Sequence, residues 1–399
     1  MISKRRRGIG RKAKNLAVLA GLITFVQAIL WYFLPIYFED VLTDMLLVGM
    51  AISGFSIASL IVSLPAGDII DKVGRRFTFV FGILGFILSI FLLFAGNFAF
   101  LFLFMFFFGA FTQICSSAAD ASLLDNCTKK NVGWVVGIAD GLKQAGWAIG
   151  PLVAAGFLLF LNVPFFISLT ILIIVAVSIL SIKFFPGKGL FGMKDLKKSK
   201  KALIKDKLYF GEIKRLKIIG KPLIAILLFS FAVGFWEYAI WTFEPIWTNA
   251  IGAGLLMGAT ILMLASAPYV LFSPITGKIA SKLSETKMLA FGAAFTLLGQ
   301  TVFLVERSLL GLSVCFVLTA IGITLIVIPL EIFIKRHVKG NLYGELFGVD
   351  EMAYEVGGVI APLSVGIVAL QSGMTSIIYV SFALFIMAVA ALFIFLRKK

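Results

Sequence analysis

Glu237 stands in the stretch Trp236-Glu237-Tyr238-Ala239-Ile240-Trp241, and the apolar run around it continues on both sides. A carboxylate at the centre of a bilayer costs about 2.5 to 3.5 kcal/mol on insertion scales, so such an acid is read first as a functional group facing a cavity or a partner. Trp31, Trp236 and Trp241 supply flat faces suited to an apolar or cationic molecule. Asp120 and Glu331 also lie in apolar runs, and Gln113 precedes Asp120 by two helical turns on the same helix face. Asp140, Lys143, Asp350, Glu351 and Glu355 fall near the starts of two further runs. Acids in a first turn complement the helix dipole, which favours structural or gating roles for them, and Lys143 is expected to pair with one of these acids.

The chemistry of an enzyme is missing from the sequence. It has no Ser/His or His/Asp constellation, no CxxC pair and no glycine-rich loop followed by Lys-Ser/Thr. Cys115, Cys127 and Cys315 read as small packing residues, with neither a disulfide framework nor a metal site. The single histidine, His337, adjoins Lys335 and Arg336 and reads as a solvated loop residue. No cofactor is implied.

The elements that must position these groups follow from composition. Hydrophobic residues make up 60% of the 399, charged residues only 14%, and the mean hydropathy is +1.05. A soluble domain carries about 25% charged residues, so this is a polytopic membrane protein. A crossing helix needs about 20 mainly apolar residues, and twelve such runs are legible near 15–38, 45–66, 77–95, 98–122, 134–158, 164–185, 222–246, 254–276, 288–305, 309–333, 345–370 and 374–396. The basic, apolar start of the chain is too long for a signal core and lacks a small-x-small cleavage site, so it reads as the first helix.

Of the 36 lysines and arginines, all but Lys143 and Arg307 fall at a terminus or in an even-numbered loop, whereas the first odd loop carries Glu39, Asp40 and Asp44. Under the positive-inside rule both termini are then cytoplasmic, in the cell membrane. The net charge of +16 is explained by topology and anionic lipid, and nucleic acid is not an expected partner.

Residues 183–221 are the longest polar stretch and divide a six-span bundle in 1–182 from a second in 222–399, joined by a basic linker. The halves match each other. Shifted by about 211 positions, Gly133, Gly137, Gly146 and Pro151 fall on Gly344, Gly348, Gly357 and Pro362, Asp140 falls on Glu351, and Asp120 falls on Glu331. With a shift of 210, Phe33, Pro35 and Ile36 fall on Phe243, Pro245 and Ile246, and Gln27 falls on Glu237. Duplicated helix bundles recur in secondary transporters, which bind substrate near the midplane between the halves.

Two local patterns sharpen this. Gly67, Asp68, Asp71, Lys72, Gly74, Arg75 and Arg76 form a charged loop between spans two and three. Gly67 permits close helix contact, Asp71 suits the positive end of a neighbouring helix dipole, and the cations hold the loop on the cytoplasmic face. In span five, Gly137, Gly146, Gly150 and Pro151 place a groove and a bend along one helix, with Gly357 and Pro362 as counterparts in span eleven. The loop resembles the signature after the second helix of the major facilitator superfamily, and the span-five pattern resembles that superfamily's antiporter motif. The departures are Ala154-Ala155 where a Gly-Gly pair is common, Ser281 in place of the aspartate in the second loop copy, and no arginine between Phe98 and Leu124.

The resemblance implies an all-α fold of twelve transmembrane helices in two six-helix bundles. It also implies a central cavity lined by spans one, four, seven and ten, so that Glu237 faces Gln27. The expected function is proton-coupled efflux of small amphipathic molecules by a monomer, driven by a proton or sodium gradient. The alternatives are a proton-coupled solute importer and a non-transporting membrane receptor.

Overall fold

The computed structural model describes residues 10–127, 132–185, 221–279, 284–337, 343–372 and 374–396. These residues form twelve α-helices: α1 (Arg11–Leu42), α2 (Met45–Val73), α3 (Arg75–Ile90), α4 (Phe98–Asp125), α5 (Val132–Leu158), α6 (Val163–Phe184), α7 (Lys221–Ala250), α8 (Leu255–Ile279), α9 (Glu285–Val305), α10 (Leu309–His337), α11 (Tyr343–Ser372) and α12 (Met374–Leu396). A short 3-10 turn, Phe91–Ala95, extends α3. Most of the proposed linker lies outside the described residues.

Short polar residues set several helix starts. The side chains of Asp44, Asn97 and Asn162 accept the main-chain N–H groups of Leu46, Phe100 and Phe165, which opens α2, α4 and α6. Prolines sit inside α1 (Pro35), α2 (Pro65), α5 (Pro151), α7 (Pro245) and α11 (Pro362). Neighbouring helices make such breaks tolerable in hydrocarbon. Ten of the helices are long and apolar enough to cross a membrane, and α5 and α11 are not among them. Those two carry Asp140 and Lys143, and Asp350, Glu351 and Glu355. They are sheltered by their neighbours, since α5 packs on α1 and α8 while α11 packs on α7 and α2.

The repeat is visible in the packing. Within the first half α1 packs on α5 and α6, α2 on α4, and α3 on α4 and α6; within the second, α7 packs on α11 and α12, α8 on α10, and α9 on α10 and α12. The halves meet through α2 against α11 and α5 against α8, which are themselves repeat-related pairs. Large apolar side chains such as Leu88, Phe165, Leu172, Leu271 and Leu310 are exposed on the outside, as lipid contact requires.

The charged loop expected at 67–76 is mostly helix. Residues 67–73 are the last turns of α2, and the chain breaks only at Gly74, where φ is +102°. That backbone is open essentially to glycine alone, so a single residue serves as the whole connection. Beyond it, Arg75 forms a salt bridge with Asp125 at the end of α4, and an Arg76 Nη2–H donates to the carbonyl of Ile182 on α6 at 3.1 Å. These two arginines therefore fasten the start of α3 to two neighbours.

Candidate functional site

A cavity of about 220 Å³ lies between the halves. Its two walls differ in chemistry. The first half contributes Gln27 and Trp31 from α1, Phe55 from α2, Thr112, Gln113 and Ser116 from α4, and Gln144 and Trp147 from α5. The second half contributes Trp236, Glu237, Tyr238 and Trp241 from α7, Ser266 and Tyr269 from α8, Phe316 from α10, and Tyr354 and Glu355 from α11. One wall is thus rich in amides and hydroxyls, the other in aromatic rings and carboxylates. Among the described residues that line it there is no lysine, arginine or histidine.

Glu237 is the best-held group in the cavity. Tyr354 Oη donates to its Oε2 at 2.6 Å and Tyr269 Oη to its Oε1 at 3.2 Å. Both oxygens therefore accept a hydrogen bond, and each keeps a second lone pair on which a proton can sit. Beside it, Tyr238 Oη donates to both oxygens of the buried Glu355 at 3.0 and 3.2 Å. Trp31 packs edge-on against Tyr238 and Phe55, and Trp147 packs edge-on against Trp241 with centroids 4.7 Å apart. The Trp31–Tyr238 and Trp147–Trp241 pairs reach across from one half to the other. Trp31, Trp236 and Trp241 line the cavity, while Trp247 of α7 packs on Phe303 away from it.

Gln27, Trp31, Gln113, Trp236, Glu237 and Trp241 all line this one space, as their placement on spans one, four and seven leads one to expect. Asp120 stands apart from it, paired with Lys143 at 2.7 Å, and Asp140 lies 4.0 Å from the same lysine. The side chains of Asp120 and Asp140 are 46% and 61% exposed, so the approach to the cavity from this end is open. Glu351 is exposed there too, within electrostatic reach of Lys143 and Asp120 across the gap. Ser230 of α7 donates to Asp350. The side chain of Glu331 lies outside the described residues.

These placements correct one expectation and extend another. Asp140, Lys143, Asp350, Glu351 and Glu355 do not occupy first turns: α5 starts at Val132 and α11 at Tyr343, so all five lie about two turns or more inside their helices. Of the five, Glu355 lines the cavity between the halves, and none caps a helix start. Lys143 pairs with Asp140, one of the acids expected for it, at 4.0 Å, and makes a closer contact with Asp120 of α4 at 2.7 Å.

The opposite end is sealed. There the backbones of α2 and α11 approach so closely that a Cβ on Gly49 would lie 2.2 Å from the Pro362 carbonyl, and one on Gly366 would lie 2.7 Å from that of Met45. Ser53 Oγ adds a bond to the Val359 carbonyl at 3.0 Å, and the Tyr32 hydroxyl of α1 donates to the Leu255 carbonyl of α8. Within each half the glycines of span five and span eleven do equivalent work. A Cβ on Gly146 would lie 2.7 Å from Phe25 N, one on Gly150 2.4 Å from the Ala28 Cβ, and one on Gly357 2.4 Å from the Phe231 carbonyl. Gly137 differs from the expected packing role, because nothing stands within 4 Å of a Cβ placed there.

A duplicated bundle of apolar helices with a cavity at the seam of its halves is the architecture of a multi-pass membrane transporter. The profile of the Major Facilitator Superfamily matches residues 16–267 and again 226–399, so the chain belongs to that superfamily. No curated protein sequence matches it. Solved structures with the same fold include the nucleoside transporter NupG, at 14% identity and a TM-score of 0.73, covering 97% of this chain and 99% of that one. Another is a POT family transporter in complex with 5-aminolevulinic acid, at 13% identity and a TM-score of 0.74, covering 99% of this chain and 97% of that one.

The sequence reading missed Tyr269, Tyr354, Trp147 and Gln144. Tyr354 and Gln144 were open to detection, because the 211-residue shift places them opposite Lys143 and Glu355.

Proposed function

We propose that this protein is a secondary active transporter that exports a small amphipathic molecule in exchange for protons. The carrying observation is Glu237, held by two tyrosines in an aromatic cavity at the seam of the halves. A carboxylate that is sealed from one side of a membrane and wetted from the other can carry a proton between them. The aromatic faces and the carboxylates, with no cation among the described residues that line the cavity, suit a substrate with a flat apolar body and a positive or neutral polar end. The substrate and the proton then compete for the same carboxylate, which is the simplest form of exchange.

The basic residues near the open end, among them Lys12, Arg75 and Arg76, support placing that end in the cytoplasm of a cell-membrane protein. The structure then corresponds to the inward-facing state. The charged turn at 67–76 serves as the hinge region between α2 and α3. The match of Gly137, Gly146, Gly150 and Pro151 to the antiporter pattern supports the direction.

A second reading, import of a polar solute with protons, is favoured by one observation. Gln27, Gln113 and Gln144 converge on the first-half wall and offer amide hydrogen bonds that an apolar substrate does not need. Proteoliposomes with imposed pH or sodium gradients separate the readings. Acid-inside vesicles should accumulate an aromatic organic cation; accumulation of a nucleoside, peptide or sugar only when the outside is acid would instead establish import.

A further inference from the structure

Seven residues beyond Glu237, on the same face of α7 and about 10 Å further toward the sealed end, lies a second carboxylate. Glu244 has no exposed surface, and neither of its carboxyl oxygens has a hydrogen-bond partner. Between the two acids stands Trp241, capped by Trp147 of the other half. Glu244 is thus shut off from the cavity on one side and from the outer surface on the other.

Its surroundings are specific. The Thr248 hydroxyl stands beside the Glu244 carboxyl but directs its proton to the main-chain carbonyls of Glu244 and Pro245, at 2.8 and 3.2 Å. Gly258 of α8 faces this cluster, because a Cβ there would lie 2.5 Å from Thr248 Oγ1, 3.2 Å from the Tyr32 hydroxyl and 3.5 Å from Glu244 Oε1. The absence of a side chain at that point lets α1, α7 and α8 close around the acid. Tyr32 of α1 is the titratable group that faces it, and among the described residues no lysine, arginine or histidine pairs with it. From α8 it meets the glycine, and close by is the Leu255 carbonyl that Tyr32 engages.

An isolated charge in such a place costs far more than a neutral acid. The closed end therefore accommodates Glu244 with its proton on, and water reaching the site as that end opens would receive the proton and stabilise the carboxylate. We propose that Glu244 is a second proton-carrying group, which locks the sealed end when protonated and releases it when ionised. This rests on the alternating-access reading above but not on the identity of the substrate or on Glu237 as its coupling site.

The test reads the seal itself. Spin labels at Leu42→Cys and Ala250→Cys, on the two halves at the sealed end, report its width in a background lacking the native cysteines. In otherwise wild-type protein in lipid discs the distance should widen as the pH rises. Glu244→Gln and, independently, Glu244→Met should stay narrow across the same range, while Glu244→Asp should still widen. A pH-dependent widening that survives in Glu244→Gln, or no widening in the wild type at any pH, overturns the proposal. Infrared titration of the unsubstituted protein needs no variant: a protonated-carboxyl band should vanish as the end opens, and the lack of any such band is equally contrary.

Discussion

The Tyr354 hydroxyl of α11 donates to Glu237 Oε2 of α7 over 2.6 Å, and Tyr354 is the repeat counterpart of Lys143, which holds Asp120 over 2.7 Å. The same duplicated position thus holds an acid in each half, by a neutral donor at the cavity and by a charged one in the open cleft. Hydrogen bonds to charged groups contribute about 1.5 to 3 kcal/mol, and about 1.4 kcal/mol is a factor of ten. Tyr354→Phe should therefore lower proton-driven transport by about tenfold or more with the fold intact. Tyr269→Phe, whose bond is longer, should cost less. Initial rates in proteoliposomes check the ranking, and equal rates for both variants and wild type would contradict it.

Lys143 and Asp120 are partly exposed, and exposed ion pairs contribute little to stability, about 0 to 1 kcal/mol. Lys143→Gln is accordingly expected to leave thermal stability nearly unchanged. It should nonetheless slow transport, because closing this end brings Asp120, Asp140, Asp350 and Glu351 together without their shared cation. Melting curves alongside transport rates separate the two effects.

Gly74 is expected to resist substitution. Its φ of +102° lies where a side chain costs about 1 to 3 kcal/mol, so Gly74→Ala should lower the melting temperature. Asp71 falls in the last turn of α2, where its own helix dipole disfavours an acid. Asp71→Asn should therefore not destabilise α2 itself. On the proposed hinge role it should slow transport while membrane insertion is preserved.

The helix seams separate two glycines that look alike in sequence. Gly357→Leu should abolish folded protein, since its Cβ would already lie 2.4 Å from a backbone carbonyl. Gly137→Ala meets open space and should be neutral or stabilising by up to about 1 kcal/mol. Yields of monodisperse protein in detergent read this directly.

The fold was largely legible because twelve apolar runs and two residue shifts overdetermine it: each expected span lies within a few residues of an observed helix. The duplication also placed Gln27 opposite Glu237. The charged stretch after span two was misread as a loop, since an apolar-run reading sees its charges and not the helical register that continues to Val73. The acids of α5 and α11 were misjudged although the expected spans, starting at 134 and 345, already put them past a first turn of about 3.6 residues. Glu244 escaped notice because nothing in a one-dimensional pattern distinguishes an acid at a sealed seam from one near a helix end.

The central claim is that Glu237 carries the coupling proton. Glu237→Gln keeps the size of the side chain and one acceptor oxygen, places an amide NH2 at the other position, and fixes the group neutral. In proteoliposomes with an imposed pH gradient, the variant should fail to accumulate a transported aromatic cation while still exchanging it across an unenergised membrane. Normal pH-driven accumulation by Glu237→Gln, with loss of it in Asp120→Asn or Glu331→Gln, would contradict the account and move the coupling site to α4 and α10.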